Sequence, residues 1–147
     1  MKMKSVFLTI LTICFFLFNA NAQKELNKEK YNSNKNMEDE IGYAQGVKVG
    51  NTIYVSGSVG WGKTEEAIKH AYDKIAKTLK NYGATFQHVV KENLYATTLD
   101  SVIKHKDVRK KYYGNDFPAA TWVEVNRLYT PELVIEVEVI AILPEDK

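Results

Sequence analysis

Phe117-Pro118-Ala119-Ala120-Thr121-Trp122-Val123-Glu124-Val125-Asn126-Arg127-Leu128 is followed, after a short connection, by Ile135-Glu136-Val137-Glu138-Val139-Ile140-Ala141. Residues 121–125 and 133–142 both alternate and read as strands. In the second, Ile135, Val137, Val139 and Ala141 point one way, and Glu136, Glu138 and Ile140 point the other. A row of carboxylates broken by apolar residues marks a sheet face that is neither core nor plain solvent surface.

Working back from this block, residues 44–49 and 52–56 are two extended runs joined by a turn at Gly50-Asn51, where glycine supplies the positive φ of a hairpin. Gly57, Gly60 and Gly62 are expected to break regularity around Trp61. Ile68, Ala71, Tyr72, Ile75, Leu79 and Tyr82 recur at spacings of three and four, which predicts a helix over 65–82 capped by Thr64 and stopped by Gly83. Residues 89–98 read as a strand and 101–113 as a second helix ending at Gly114. The order strand-strand-helix-strand-helix-strand-strand predicts an α+β domain, a single sheet with two helices on one face. The half-apolar opposite face is a candidate subunit interface.

Residues 1–22 read as a signal peptide: Lys2 and Lys4, an apolar run from Val6 to Phe18, then Ala20-Asn21-Ala22 as the cleavage pattern. The run of about 13 residues is too short to span a bilayer, so no stable membrane insertion is expected. A secreted or periplasmic protein follows. Residues 23–40 are polar and are expected to form a flexible leader, with a short docked helix as the alternative; the folded domain is expected over 41–145. Without the signal, 18 basic residues balance 18 acidic ones, which gives nucleic acid no field to bind. Cys14, the only cysteine, falls in the signal, so neither a disulfide nor a thiolate metal site is expected. His70, His88 and His105 show no ligand spacing, and no metal or cofactor is expected.

The C-terminal block resembles the signature of the reactive intermediate deaminase (Rid) family, also called YjgF-type or endoribonuclease L-PSP-like: Pro-Ala-Arg-Ser, a strand, Arg-Leu-Pro, a turn, then Glu-Ile-Glu-Ala-Ile-Ala. Gly42-Tyr43-Ala44-Gln45-Gly46, Val55-Ser56-Gly57 and Tyr82-Gly83-Ala84 resemble its other landmarks, so the likeness covers about 41–143. The resemblance implies a chorismate-mutase-like fold assembled as a homotrimer, with small-molecule pockets in clefts between subunits. It also implies, in deaminating members, hydrolysis of an enamine or imine to a 2-keto acid and ammonia. By position, Glu136 matches the glutamate associated with the attacking water, Tyr43 a pocket tyrosine, and Ser56 with Gly57 a pocket wall. Ala120 stands where those members carry the arginine that grips the substrate carboxylate, and Lys106 stands where they carry an asparagine. The connection 129–134 is one residue longer than the usual turn.

These residues define the candidate site: Glu136 for water activation, with Tyr43, Ser56, Gly57, Ala120 and Trp122 for ligand binding. Trp122 and Trp61 could floor an apolar pocket or pack in a core or interface. Glu138 could raise the pKa of its neighbour or form a salt bridge. Arg127, Arg109 and Lys106 are candidate replacements for the missing guanidinium. Three functions stay open: a secreted trimer binding an apolar or uncharged molecule, a true imine deaminase using a displaced cation, and a non-catalytic interaction module.

Overall fold

A computed structural model describes residues 25–145; the signal segment lies outside the described residues. In chain order the elements are β1 (Glu29–Tyr31), α1 (Lys35–Ile41), β2 (Gly46–Val49), β3 (Thr52–Trp61), α2 (Thr64–Asn81), a 3-10 turn (Phe86–His88), β4 (Val89–Ala96), α3 (Leu99–Lys104), α4 (Lys106–Tyr113), β5 (Ala119–Glu124) and β6 (Leu133–Ile142). One mixed sheet has the order β1-β2-β3-β6-β4-β5. Only β4 and β5 run parallel; the other neighbours are antiparallel.

The core lies between the sheet and α2, which buries Ile68, Ala71, Tyr72, Ile75 and Leu79, the stripe read from its spacing. From β6 come Ile135, Val137, Val139 and Ala141, all buried. Gly60 allows α2 to approach β3, because a β-carbon there would overlap the Ala67 carbonyl. β3 does not stop at Ser56 as expected. It continues through Gly57 and Gly60 to Trp61, paired to β6 on either side of Ser56 and Gly57, with register shifts between Val55 and Ser58 and between Gly60 and Trp61 that absorb the irregularity. The second helix is broken at His105 into α3 and α4.

Residues 29–41 correct the expectation of a flexible leader. β1 pairs with the outer edge of β2. Lys48 Nζ lies 3.0 Å from Glu29, and Tyr82 Oη donates to the Glu29 carbonyl at 3.0 Å. α1 is held by one buried carboxylate. Glu38 accepts from Asn32 Nδ2, Ser33 N, Ser33 Oγ and Asn34 N at 2.8 Å each, and from Gln45 N at 3.0 Å. The segment escaped a hydropathy reading because backbone pairing and a satisfied charge hold it, rather than apolar burial. Burial pushes the Glu38 carboxyl up, but hydrogen bonds from Asn34, Ser33, Asn32 and Gln45 prevail and hold it below its ordinary value.

Glu38→Ala orphans these donors and is expected to lower unfolding free energy by about 2–3 kcal/mol in urea titration. Since the folded pKa is depressed, the carboxylate's contribution is complete above the ordinary value of 4.5 and is lost as pH falls through the folded one. The stability gap between wild type and variant therefore narrows in acid.

Candidate functional site

β2 begins at Gly46, opposite Val55, so from Ser56 onward one edge of β3 has no strand partner. The chain enters β2 through Tyr43, Ala44 and Gln45 after Gly42, which takes the positive φ of 91° that ends α1. Ser56 fastens this entry: its N–H donates to Gln45 O at 3.0 Å and its hydroxyl to Ala44 O at 2.7 Å. Gln45 Nε2 donates to Ser56 O at 3.0 Å.

A cavity of about 330 Å³ lies along this open edge. Tyr43, Ser56, Gly57 and Glu136 all line it, so the structure brings together four of the six residues singled out in the sequence. Its apolar walls are Met37 and Ile41 of α1, Val59 of β3 and Leu133 of β6, with Tyr129 beside them and Lys74 entering from α2. The volume suits a small organic molecule.

Glu136 pairs across the ladder with Val59, and its side chain crosses the face of Gly57. A β-carbon on Gly57 would overlap the Glu136 carboxyl, so the absent side chain is what lets the carboxylate lie there. Burial raises the Glu136 pKa, the Glu138 charge raises it further, and Lys74 opposes both. Burial likewise raises Tyr43, helped by the charges of Glu38 and Glu136. Burial depresses the Lys74 ammonium, against the pull of the same two glutamates. A half-buried acid, a phenol and an amine therefore share one apolar chamber, and none of them is held in an ion pair within it.

Ala120 and Trp122 do not reach this chamber within the chain. They lie on β5, separated from β6 by β4, in register with Glu92 and Leu94. Trp122 floors no pocket with Glu136; its Nε1 donates to Glu92 at 3.0 Å. Trp61 is exposed and stacks on His70 at 4.4 Å. Glu138 accepts from Asn93 Nδ2 at 2.8 Å and lines a separate hollow near Tyr54 and Ile140.

The replacement cations fare no better. Arg109 Nε contacts both oxygens of Glu92, at 2.9 and 3.2 Å, and its guanidinium lies over Tyr113 and Trp122. Glu92, wholly buried, also accepts from Tyr72 Oη at 2.8 Å and Tyr113 Oη at 2.7 Å. Arg109 neutralises this core charge. Arg127 is exposed and donates to Tyr129 O at 3.2 Å, and Lys106 is exposed on α4. Sequence reasoning missed Lys74. The signal was available: Lys74 falls between Ala71 and Thr78 at helical spacing, on the border of the buried stripe rather than on the solvated face. Among the described residues no group of three or more His, Cys, Asp or Glu is placed to hold a metal ion.

The profile of the endoribonuclease L-PSP family matches residues 33–143. The chain belongs to this family, the YjgF/Rid proteins. A RutC family protein of Pyrococcus abyssi is 34% identical over 108 residues, spanning 67% of this chain and 84% of its own. The 2-iminobutanoate/2-iminopropanoate deaminase of Bos taurus is 33% identical over 109 residues, 68% of this chain and 79% of its own. Among solved structures, a YjgF/YER057c/UK114 family member from Mycobacterium tuberculosis superposes with a TM-score of 0.74 at 27% identity, covering 80% of this chain and 100% of that one. A Thermotoga maritima protein gives 0.68 at 26% identity, covering 84% and 99%. The family match begins at residue 33, inside the segment that the sequence pattern assigned to a leader.

Two substitutions probe the chamber. Gly57→Ala, at a backbone conformation alanine accepts, pushes the Glu136 carboxyl off the strand. It is expected to cost about 1–3 kcal/mol and to move the Glu136 titration seen by carboxyl-carbon NMR. Glu136→Gln tests the sign of its shift. A carboxyl raised in the fold favours the folded state below its ordinary value of 4.5 and disfavours it as pH climbs through the folded value. The glutamine variant should therefore melt higher than wild type at pH 7, with the difference vanishing in acid.

Proposed function

We propose that this is an exported protein that assembles as a homotrimer and binds a small, mostly apolar or uncharged molecule in clefts between neighbouring subunits. Any catalysis in it is hydrolytic and centred on Glu136. The observation that carries this reading is the half-buried Glu136 carboxyl in an apolar chamber that holds no guanidinium. A carboxyl whose pKa is raised by burial and that opens to a cavity is placed to take and return a proton. Export is supported by the basic, apolar and small-residue pattern of residues 1–22. Assembly is supported by apolar side chains left open on the outer sheet face and at β5: Tyr54, Val123, Ile142 and Phe117 are all exposed in the single chain. An assembly that set the β5 edge of one subunit against the Glu136 chamber of the next would bring Ala120 and Trp122 to the ligand.

A second reading is favoured by the relatives that bear the name 2-iminobutanoate/2-iminopropanoate deaminase. A chain in that role would release ammonia from a small imine, with a displaced cation taking the substrate carboxylate. Energetics weigh against it. Loss of a desolvated, bidentate charge pair costs about 2–5 kcal/mol, and each 1.36 kcal/mol of barrier is about tenfold in rate.

The deciding assay generates 2-aminoacrylate in situ and follows ammonia release. The proposal expects a rate no greater than that of buffer, together with a retained small molecule in native mass spectrometry of a particle three chains in mass. Turnover abolished by Glu136→Ala would establish the deaminase reading instead. Neither turnover nor a bound molecule would leave the trimer surface as an interaction module. If the remaining pocket is intact across the subunit boundary, Ala120→Arg should confer imine hydrolysis at least about tenfold above the parent.

A further inference from the structure

Among the described residues, Lys74 is the one basic side chain that enters the Glu136 chamber. α2 carries it past the β3 edge that β2 leaves open. Among the described residues no hydrogen bond or ion pair engages its Nζ; Thr78 Oγ1 bonds only its backbone carbonyl. The titratable groups around it are Glu38 from α1, Tyr43 from the entry to β2, Tyr129 from the β5–β6 connection and Glu136 from β6. Of these, Glu38 is saturated by five donors and stays anionic. Glu136 has no donor among the described residues and remains free to exchange protons.

The charge balance selects the ligand. One ammonium faces two carboxylates, so an anionic ligand would add a third negative charge to a partly desolvated space, whereas an uncharged one adds none. The apolar walls and the absence of a guanidinium favour the same choice.

We propose that Lys74 is an imine-forming amine, whose Nζ condenses reversibly with the carbonyl carbon of a small uncharged aldehyde or ketone held in the chamber, with Glu136 carrying the protons. The nitrogen lone pair forms the N–C bond as the C=O π electrons move to oxygen. Glu136 takes a first proton from nitrogen and delivers it to the oxygen, giving the carbinolamine, and then carries the second nitrogen proton to the same oxygen as the nitrogen lone pair closes on carbon. The C–O bond then breaks, water leaves, and the C=N bond forms. One carbonyl compound and one lysine amine give one imine and one water, with no oxidant or reductant. Desolvation depresses the Lys74 ammonium and so shifts its equilibrium toward the neutral amine that the step requires. The inference rests on the cavity reading only in placing the carbonyl beside Glu136; it requires neither turnover of an imine substrate nor assembly.

Lys77, exposed one turn further along α2, is an internal control. The folded full chain is treated with limiting butanal and cyanoborohydride at pH 7, and the butylated lysines are quantified by peptide mass. Lys74 is expected to be labelled about tenfold or more faster than Lys77, as a carbonyl held beside the amine raises its effective concentration. Glu136→Gln should slow labelling at Lys74 and leave Lys77 unchanged, and Lys74→Arg should remove the fast site with the fold intact by circular dichroism. Labelling of Lys74 no faster than Lys77 would overturn the proposal. A larger Lys74-to-Lys77 ratio with 2-oxobutanoate than with butanal would overturn the assignment of an uncharged ligand. Ammonia release from 2-aminoacrylate with Lys74 unlabelled would support the deaminase reading and reject this one. Fast Lys74 labelling without ammonia release does the reverse.

Discussion

The Glu136 carboxyl rests on Gly57, and the rest of the site is arranged around that contact. A strand that buries one face and must also seat a carboxylate on the other meets a steric conflict wherever the neighbouring strand carries a β-carbon. Gly57 removes the conflict at one position, and the register shift between Val55 and Ser58 turns the strand there. The same stretch is where β2 begins, the chain arriving from α1 through Tyr43 and Gln45. An open strand edge, a glycine and an arriving chain thus coincide, and the chamber is the space they leave.

Three glutamates with partly or wholly buried carboxyls show how a fold distinguishes a structural charge from a chemical one. Glu92 has Arg109, two tyrosine hydroxyls and an indole N–H around it. Glu38 has five donors from the turn that precedes α1 and from Gln45. Each is enclosed by its donors, and removing a partner would leave a buried polar group unpaired. Glu136 has no such set. Burial raises its pKa with only the Lys74 charge in opposition, so its protonation state can change with what enters the chamber. The Glu92 cluster also explains why Arg109 offers no substitute for a guanidinium at position 120: moving it to a ligand would leave the core carboxylate unpaired.

Much of this was legible in the chain. The stripe on α2, the alternation of β6 and the glycine turn at Gly50 are local patterns, and local patterns survive translation into structure. Tyr43, Ser56, Gly57 and Glu136 were placed by motif, and they meet because β3 runs on past Ser56 and pairs β6 on both sides of the break between Val55 and Ser58. The ordering of residues 29–41 was not legible, since it depends on backbone pairing to β2 and on convergent donors rather than on apolar periodicity. Lys74 was hidden because a lysine on a helix is by default a solvated residue, and only the missing strand beside β3 makes its position a chamber wall. Within the chain, Trp122 and Arg109 are held by a common partner. Both looked available until Glu92, read only as one residue of a β4 strand, proved to be the buried charge that holds them.

Family membership fixes the scaffold, yet the chemistry follows from which charges face the ligand. Hydrolysis of a C=N bond and condensation of an amine with a C=O bond traverse the same carbinolamine in opposite directions, and both call for a group that shuttles a proton between nitrogen and oxygen. On the proposed reading, a chamber that retains that group in Glu136 and carries an amine at Lys74, with alanine at position 120 of a facing subunit, keeps the bond chemistry while changing what supplies the nitrogen. With a carboxylate grip, the ligand brings its own nitrogen and is held by its charge. Without one, an uncharged carbonyl compound has no comparable handle, and a covalent bond to the protein is the strongest remaining way to hold it beside the acid. On the proposed reading the alanine at position 120, on edge strand β5, and the lysine at position 74, on helix α2, belong to one change in ligand charge.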